Sequence, residues 1–328
     1  MWMWNLLGEN MKFGLCCICL ELQNRNPPLK FQTITYKRFS SLPRKESIEI
    51  LGSRILNNMI VTNESIKYCY DNNLCYRLSS DLMPLITFDK ANIDLKDLPN
   101  YDKIEDVFDD IKNTIKETKV RISAHPDQFN VLASLDENVV NKTINELNFM
   151  SSLMDRFGLS ADHNTPINVH IQNNKDGTRE EISHRFLNNF HKLDENCQKR
   201  LVVENDDRQS AWSVAKLLNI FHPITKIPIT YDSHHFRLNN PEELSPEEAV
   251  NGCIKTWGDC KPLFHFSNGR NHALDKAHSD YVNEIHQELF INDIDIDYEY
   301  KFKDFTIKNF IKSYPLYEGY LQPKAVAN

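Results

Sequence analysis

The sequence predicts an α/β protein folded as a single-domain (β/α)8 barrel. Eight β-rich stretches alternate with segments of helical periodicity, and no Pro/Gly-rich linker or internal repeat divides the 328 residues. Five of the apolar runs also end in a His, Glu or Asp: RISAHPDQF (121–129), INVHIQ (167–172), LVVEND (201–206), IPITYDSHHF (227–236) and PLFHFS (262–267). Parallel strands that deliver polar side chains from their C-terminal ends are how such a barrel builds an active site on one face. Histidine mixed with carboxylate suits Mn²⁺, Zn²⁺ or Fe²⁺.

The elements follow in order. MWMWNLLGEN (1–10) precedes a second methionine, Met11, and is set apart as an N-terminal extension; the barrel domain is expected over 11–328. FGLCCICL (13–20) lacks the positively charged lead and cleavage site of a secretion signal, so it reads as the first strand. Strands are expected within 12–18, 74–79, 119–124, 167–171, 200–204, 227–232, 262–266 and 293–299. Between them, 103–117 carries Ile104, Val107, Phe108, Ile111 and Ile115 on one helical face, and 139–154 repeats the pattern with Val140, Ile144, Leu147 and Met154. Segment 178–193 opens with Thr178 and Glu181 in capping-box spacing. Pro43 suits the first turn of a helix carrying Ile48, Leu51 and Ile55.

Composition excludes some classes. Hydrophobic residues at 41% and charged residues at 26% describe an ordinary globule. A mean hydropathy of −0.52 and no apolar run near ~18 residues leave no candidate membrane helix. Three of the eight cysteines, Cys16, Cys17 and Cys19, crowd into the expected first strand, where alternate side chains point to opposite faces, and all eight are expected reduced, in an intracellular protein (cytoplasmic, or nuclear in a eukaryote). A net charge of −8 argues weakly against a polyanionic partner. Bound divalent ions would return positive charge to the cleft, and distribution matters more than the sum.

An isolated histidine is most often a surface or satisfied core residue, and His163, His184, His191, His222, His234, His272 and His286 are read that way. His125, His170, His235 and His265 differ because each lies at or just past a strand end. Glu204 follows Leu201-Val202-Val203 and Asp232 ends the run to Tyr231; a carboxylate buried there is costly unless paired or metal-bound. Asp232 and His235, three apart, can be aimed at one cluster by a short turn. Glu299 lies in an alternating run that puts Asp295, Asp297, Glu299, Lys301 and Lys303 on one side, either an exposed edge or an active-site wall. His278 is expected at the start of a helix with Tyr281, Val282, Ile285 and Leu289 on its apolar face. Arg77, at a strand end, is a candidate for neutralising a phosphate.

Taken together, RLSSDLMP, SAHPDQF, NVHIQ, VENDD, YDSHH, HFSNGR, HSDY and EYKFK resemble the UV-damage endonuclease family in order and spacing, over roughly residues 11–304. The resemblance implies a TIM barrel akin to endonuclease IV. It implies incision of double-stranded DNA immediately 5′ to UV photoproducts, leaving a 3′-hydroxyl and a 5′-phosphate. It also implies two or three divalent ions, typically Mn²⁺. The implied metal ligands are His125, His170, Glu204, Asp232, His235, His265, His278 and Glu299, with Glu204 and Asp232 as bridging carboxylates. Glu204, Asp232 and His265 would be the catalytic core. Gln128 and Phe129 would probe the duplex at the lesion, and Arg77, Arg270, Lys301 and Lys303 would hold backbone phosphate.

Three positions depart from the family pattern. Leu263 replaces a lysine expected two residues before the strand-seven histidine, with Lys261 nearby. Phe88 stands where a histidine is often found, and Leu15 where an aromatic might help bind DNA. The alternatives are an abasic-site endonuclease or a xylose isomerase-like sugar isomerase on the same barrel, or a damage-binding protein without catalysis. No membrane partner is expected, and the protein is read as a monomer.

Overall fold

The computed structural model of the protein describes residues 11–314; the N-terminal extension 1–10 and the last part of the expected barrel domain, 315–328, lie outside the described residues. Each of the eight expected stretches contains a strand: β1 (Phe13–Cys16), β2 (Cys75–Leu78), β3 (Ile122–Ala124), β4 (Ile167–Val169), β5 (Leu201–Glu204), β6 (Ile229–Thr230), β7 (Leu263–Phe266) and β8 (Asp295–Tyr298). All paired strands are parallel, in the order β6-β5-β4-β3-β2-β1-β8-β7. The seam between β6 and β7 is held by a single bridge, Asp232 to His265, where the His265 N–H donates to the Tyr231 carbonyl at 2.9 Å. This is the predicted (β/α)8 barrel.

Helices cover the outside. Those at Tyr101–Thr118 and Glu137–Arg156 bury the predicted apolar faces, Ile104, Phe108, Ile111 and Ile115 in the first and Val140, Leu147 and Met154 in the second. Arg179–Phe190 begins with the capping box of Thr178 and Glu181. Side chains alternate along each strand. Phe13 packs outward on Phe310 and Tyr298, at ring-centroid distances of 5.9 and 4.9 Å. Leu15 shares that outward phase and is fully buried beneath the helices, so it cannot reach DNA.

Gly14 therefore points inward. A methyl group there would lie 1.8 Å from Asp297 Oδ1, so only glycine leaves room for this buried carboxylate. Ser123 Oγ donates to Asp297 Oδ2 at 3.4 Å. At the N-terminal end of the barrel, Asp295 collects the Lys12 N–H at 2.8 Å, Arg121 at 2.9 Å and Lys261 at 3.0 Å. These charges serve the closed end, where barrels place stability rather than catalysis.

Some expectations fail locally. Only Cys16 of the three clustered cysteines is in β1; Cys17 has a φ of +65° and Cys19 precedes the short helix Leu20–Gln23. Pro43 precedes the helix Arg44–Asp71 as its cap, with an extended ψ of 138°, and is not in its first turn. No helix starts at His278. The chain there forms a loop bridged to Gly269, and only Gln287–Phe290 is helical. The five-charge face breaks after β8: Asp295 and Asp297 are interior, whereas Lys301 lies in the following turn and Lys303 starts the helix Lys303–Ser313. No helix among the described residues is long and apolar enough to cross a membrane. All eight cysteines are free.

Replacing Gly14 by Ala should destabilise the fold by roughly 1–3 kcal/mol, the scale of overpacking. Adding Asp297→Ser should restore part of the loss in denaturant melts. A G14A protein as stable as the parent would contradict the inward assignment.

Candidate metal centre and catalytic face

Glu204, the last residue of β5, is 1% exposed and surrounded by four imidazoles. Its Oε2 lies 3.2 Å from His125 Nε2 and 3.1 Å from His265 Nδ1; its Oε1 lies 3.0 Å from His235 Nδ1 and 3.8 Å from His170 Nε2. Each comes from a different strand end: His125 follows β3, His170 follows β4, His265 is in β7, and His235 sits in the helix Ser233–Leu238 that begins at β6. Asp232 caps that helix, its Oδ1 accepting the His235 N–H at 2.7 Å. A third carboxylate, Glu299, lies 3.3 Å from His265 Nδ1 and 3.9 Å from His278 Nδ1. All eight expected ligands thus converge on one face.

Two groups of donors could each hold an ion, His125–His170–Glu204 and Glu204–Asp232–His265, with all donor atoms of a group within 4.8 Å. Glu204 belongs to both, as a bridging carboxylate would; Asp232 belongs to one. The donor atoms also fit a cation poorly served by hydrogen bonds. Glu204 Oε1, Asp232 Oδ2 and His265 Nδ1 are buried without a well-aligned hydrogen-bond partner among the described residues. Neighbouring groups orient the rings by occupying their other nitrogens. Nδ1 of His125 donates to the Pro126 carbonyl at 3.1 Å and Nδ1 of His278 to the Glu299 carbonyl at 2.6 Å, while Nδ1 of His170 sits 3.0 Å from Asp206 Oδ1. With Nδ1 of His125 and His170 so engaged, each Nε2 turns toward Glu204.

Electrostatics show the same need for positive charge. Burial alone would raise the Glu204 carboxyl, but His265 and His170, with hydrogen bonds from His125 and His235, hold it well below the usual range. Burial would likewise lower His265, yet Glu204 and Glu299 push it up to about 9. His235 is raised by Asp232 and Glu204 against the same burial. His125 goes the other way, lowered because burial outweighs Glu204.

The remaining candidates are distributed around this centre. Gln128 and Phe129 lie in the turn after His125, exposed, and Phe129 keeps 78% of its surface free. Gln128 lines a cleft of about 330 Å³ with His125, His170, Asp207, His235 and His278. Arg270 is exposed, its Nε donating to the His278 carbonyl at 3.3 Å, and the exposed Lys301 follows Glu299 by two residues. Arg77 is the exception: its guanidinium faces into the barrel onto Glu299 and lies 4.0 Å from Asp297, so it steadies a carboxylate and is not free on the rim for phosphate.

The departures also resolve. Leu263 is buried in β7 opposite Asp295, and Lys261 is bound at the closed end by Asp293 and Asp295, so neither brings a lysine to the centre. Phe88 packs on Tyr36 and lines a separate cavity with Ile86, Asp89 and Asn92.

Other contributors escaped the sequence reading. Asn168 donates to Glu204 Oε2, and Asp206 fixes His170. Asn168 precedes His170 by two residues, so period-2 alternation could have placed it on the same interior face. Asn268 joins the loop that carries His278. Its Nδ2 donates to the Glu284 carbonyl at 3.1 Å and approaches His286 Nε2 at 3.3 Å; its Oδ1 accepts Tyr300 O–H at 2.7 Å and the Asn283 N–H at 3.2 Å. No local pattern announces that role.

Comparison with known proteins agrees with this architecture. The UV-endonuclease UvdE family profile matches residues 11–325. A UV DNA damage endonuclease of Bacillus thuringiensis subsp. konkukian (strain 97-27) is 28% identical over 312 residues, 92% of this chain and 94% of the relative. That of Bacillus cereus (strain Q1) is 28% identical over 311 residues, covering 92% and 93%. The crystal structure of SacUVDE superposes with a TM-score of 0.76 at 28% identity, covering 92% of this chain and 98% of that one. Endonuclease IV from Thermus thermophilus, at a TM-score of 0.53, 10% identity and coverage of 92% and 98%, shares the fold. A family profile that spans the barrel and relatives that align over more than nine-tenths of both chains lead to one statement: the chain belongs to the UV-endonuclease UvdE family.

Proposed function

We propose that this chain is a divalent-metal-dependent endonuclease that cuts double-stranded DNA immediately 5′ to UV photoproducts, leaving a 3′-hydroxyl and a 5′-phosphate. The observation that carries the metal dependence is Glu204, a buried carboxylate shared by two donor groups and encircled by four imidazoles. Family membership supports the damaged-DNA substrate. We assign His125, His170, Glu204, Asp232, His235, His265, His278 and Glu299 as ligands of two or three ions, Mn²⁺ by preference. When bound, such ions supply Lewis-acid charge stabilisation and lower the pKa of water.

The chain's own residues do the rest. Glu204, Asp232 and Glu299 provide the negative charge that gathers cations, and Asp206, Pro126 and Asn205 fix the imidazole rings. Arg77 holds Glu299 in place. Arg270, Lys301 and Lys303 position the phosphate backbone without reading sequence. Phe129, exposed at the mouth, fills the gap left when a photoproduct is extruded, and Gln128 bonds the orphaned bases. Photoproducts weaken stacking and pairing, so the deformation costs less at a lesion. An exposed aromatic on the rim serves a duplex better than the enclosed pocket a sugar isomerase needs. The protein would act as a monomer inside the cell, in the nucleus if the source is a eukaryote.

Incubation with Mn²⁺ and a duplex carrying one defined photoproduct should give a single cut 5′ to it; no cut, or aldose–ketose conversion instead, would overturn the proposal. Glu204→Gln should lose bound metal and lower incision by at least about 100-fold, a loss already seen when groups that merely support a ligand are removed. Phe129→Ala should weaken activity on damaged duplex roughly 5- to 150-fold, from ~1–3 kcal/mol of lost stacking, at unchanged metal content. Equal loss of both would contradict the wedge role.

Metal uptake should depend on pH in a defined direction. His265 is raised to about 9, so below that pH an entering ion displaces its proton. Affinity should therefore climb from neutral pH toward 9 and then level, with protons released, as calorimetry in buffers of different ionisation enthalpy would show. In the ion-free protein the same shift contributes stability fully below about 6.5, the ordinary histidine value, and loses it as pH rises through 9. Ion-free protein whose melting temperature does not fall over that interval would contradict the shift.

A further inference from the structure

Tyr281 and Phe302 come from different loops yet stack on the surface, with ring centroids 5.0 Å apart and 27° between planes. Each stays exposed, at 41% and 38%. Their backbones are fastened before any ligand arrives. The Lys301 N–H donates to the Ser279 carbonyl at 3.2 Å, the Phe302 N–H to the Asp280 carbonyl at 3.3 Å, and Thr306 Oγ to the same Asp280 carbonyl at 2.8 Å. Ser279 Oγ donates to the Tyr281 carbonyl at 2.7 Å. Such preorganisation lowers the entropic cost of binding.

Their place in the chain matters as much. Tyr281 follows His278 by three residues and Phe302 follows Glu299 by three, and His278 and Glu299 are themselves hydrogen-bonded. Three residues of chain span at most roughly 10 Å, so the pair borders the carboxylate–imidazole centre. It stands on the loops after β7 and β8, a different flank from Phe129 after β3. Lys301, Lys303 and Arg270 lie beside it and form no ion pair among the described residues; Asp280 is the acidic neighbour. A small apolar face framed by unpaired cations complements a polyanion better than an apolar protein partner.

We propose that Tyr281 and Phe302 form a second stacking platform, which takes a nucleobase of the DNA strand next to the scissile phosphodiester while Lys301, Lys303 and Arg270 hold its phosphates. The inference rests on the endonuclease reading above. Every base has a π face, so the platform adds affinity without sequence preference.

The test uses the full chain and a duplex with one cyclobutane pyrimidine dimer and 5-iodouracil at positions around the expected cut, irradiated in EDTA to prevent incision. Crosslinks should map to Tyr281 or Phe302. The double variant Tyr281→Leu/Phe302→Leu, which keeps apolar cover but removes the rings, should bind this duplex roughly 5- to 30-fold more weakly while retaining its divalent-ion content, with the loss in KM. Tyr281→Phe, which keeps the π face, should bind far more tightly than the double variant. Crosslinks only elsewhere, or a double variant that binds as the parent does, would overturn the platform. A parent protein that neither binds nor cuts photoproduct duplex would overturn the endonuclease reading, and the platform with it.

Discussion

A carboxylate with 1% exposure must be compensated, and Glu204 organises the whole catalytic face around that requirement. Isolated, its charge would be expelled from the barrel or neutralised by a proton. Four imidazoles within 3.0–3.8 Å keep it ionised instead. The compensation is mutual, since Glu204 and Glu299 in turn raise His265. None of these rings could approach so closely without strand ends that converge, and convergence is what eight tilted parallel strands supply. The fold and the centre therefore constrain each other through one side chain.

The seam of the barrel shows that dependence most directly. β6 has two residues, and its junction with β7 is a single bridge between Asp232 and His265. Both are proposed ligands. Asp232 is further clasped by Asn205, whose Oδ1 accepts its N–H at 2.8 Å and whose Nδ2 donates to its carbonyl at 3.0 Å. An ion shared by Asp232 and His265 would close the weakest joint of the sheet, so metal binding and barrel closure are expected to reinforce each other.

Most of this was legible because strand periodicity leaves a local trace. The eight strands lie in the apolar runs, and the convergent residues other than His278 sit where such a run ends or just beyond; Asp297 and Glu299 follow Asp295 at the spacing that keeps one face inward. What failed was non-local. Arg77 looked like a rim arginine because its partner, Glu299, is 222 residues away in sequence. The stretch after His278 has apolar residues at helical spacing, yet Asn268 captures its backbone at the Asn283 N–H and the Glu284 carbonyl and holds it as a loop. Leu15 was misplaced by family analogy; alternation with Phe13 puts it under the helices. Gly14 carried no signal, since its role depends on a carboxylate from the other end of the chain.

The net charge of −8 is reconciled with a polyanionic substrate by where the charges lie. Glu204, Asp232, Asp297, Asp206 and Asp295 are buried, and Glu299 is held by Arg77. They are balanced locally by imidazole, guanidinium or ammonium groups, and the proposed ions would add further positive charge at the mouth. The exposed cations Arg270, Lys276 and Lys301 stand beside that mouth on the loops after β7 and β8. Interior carboxylates subtract from the formal sum, yet they draw in the cations that a phosphodiester would meet first. In such a barrel an acidic total and an attraction for DNA have the same origin.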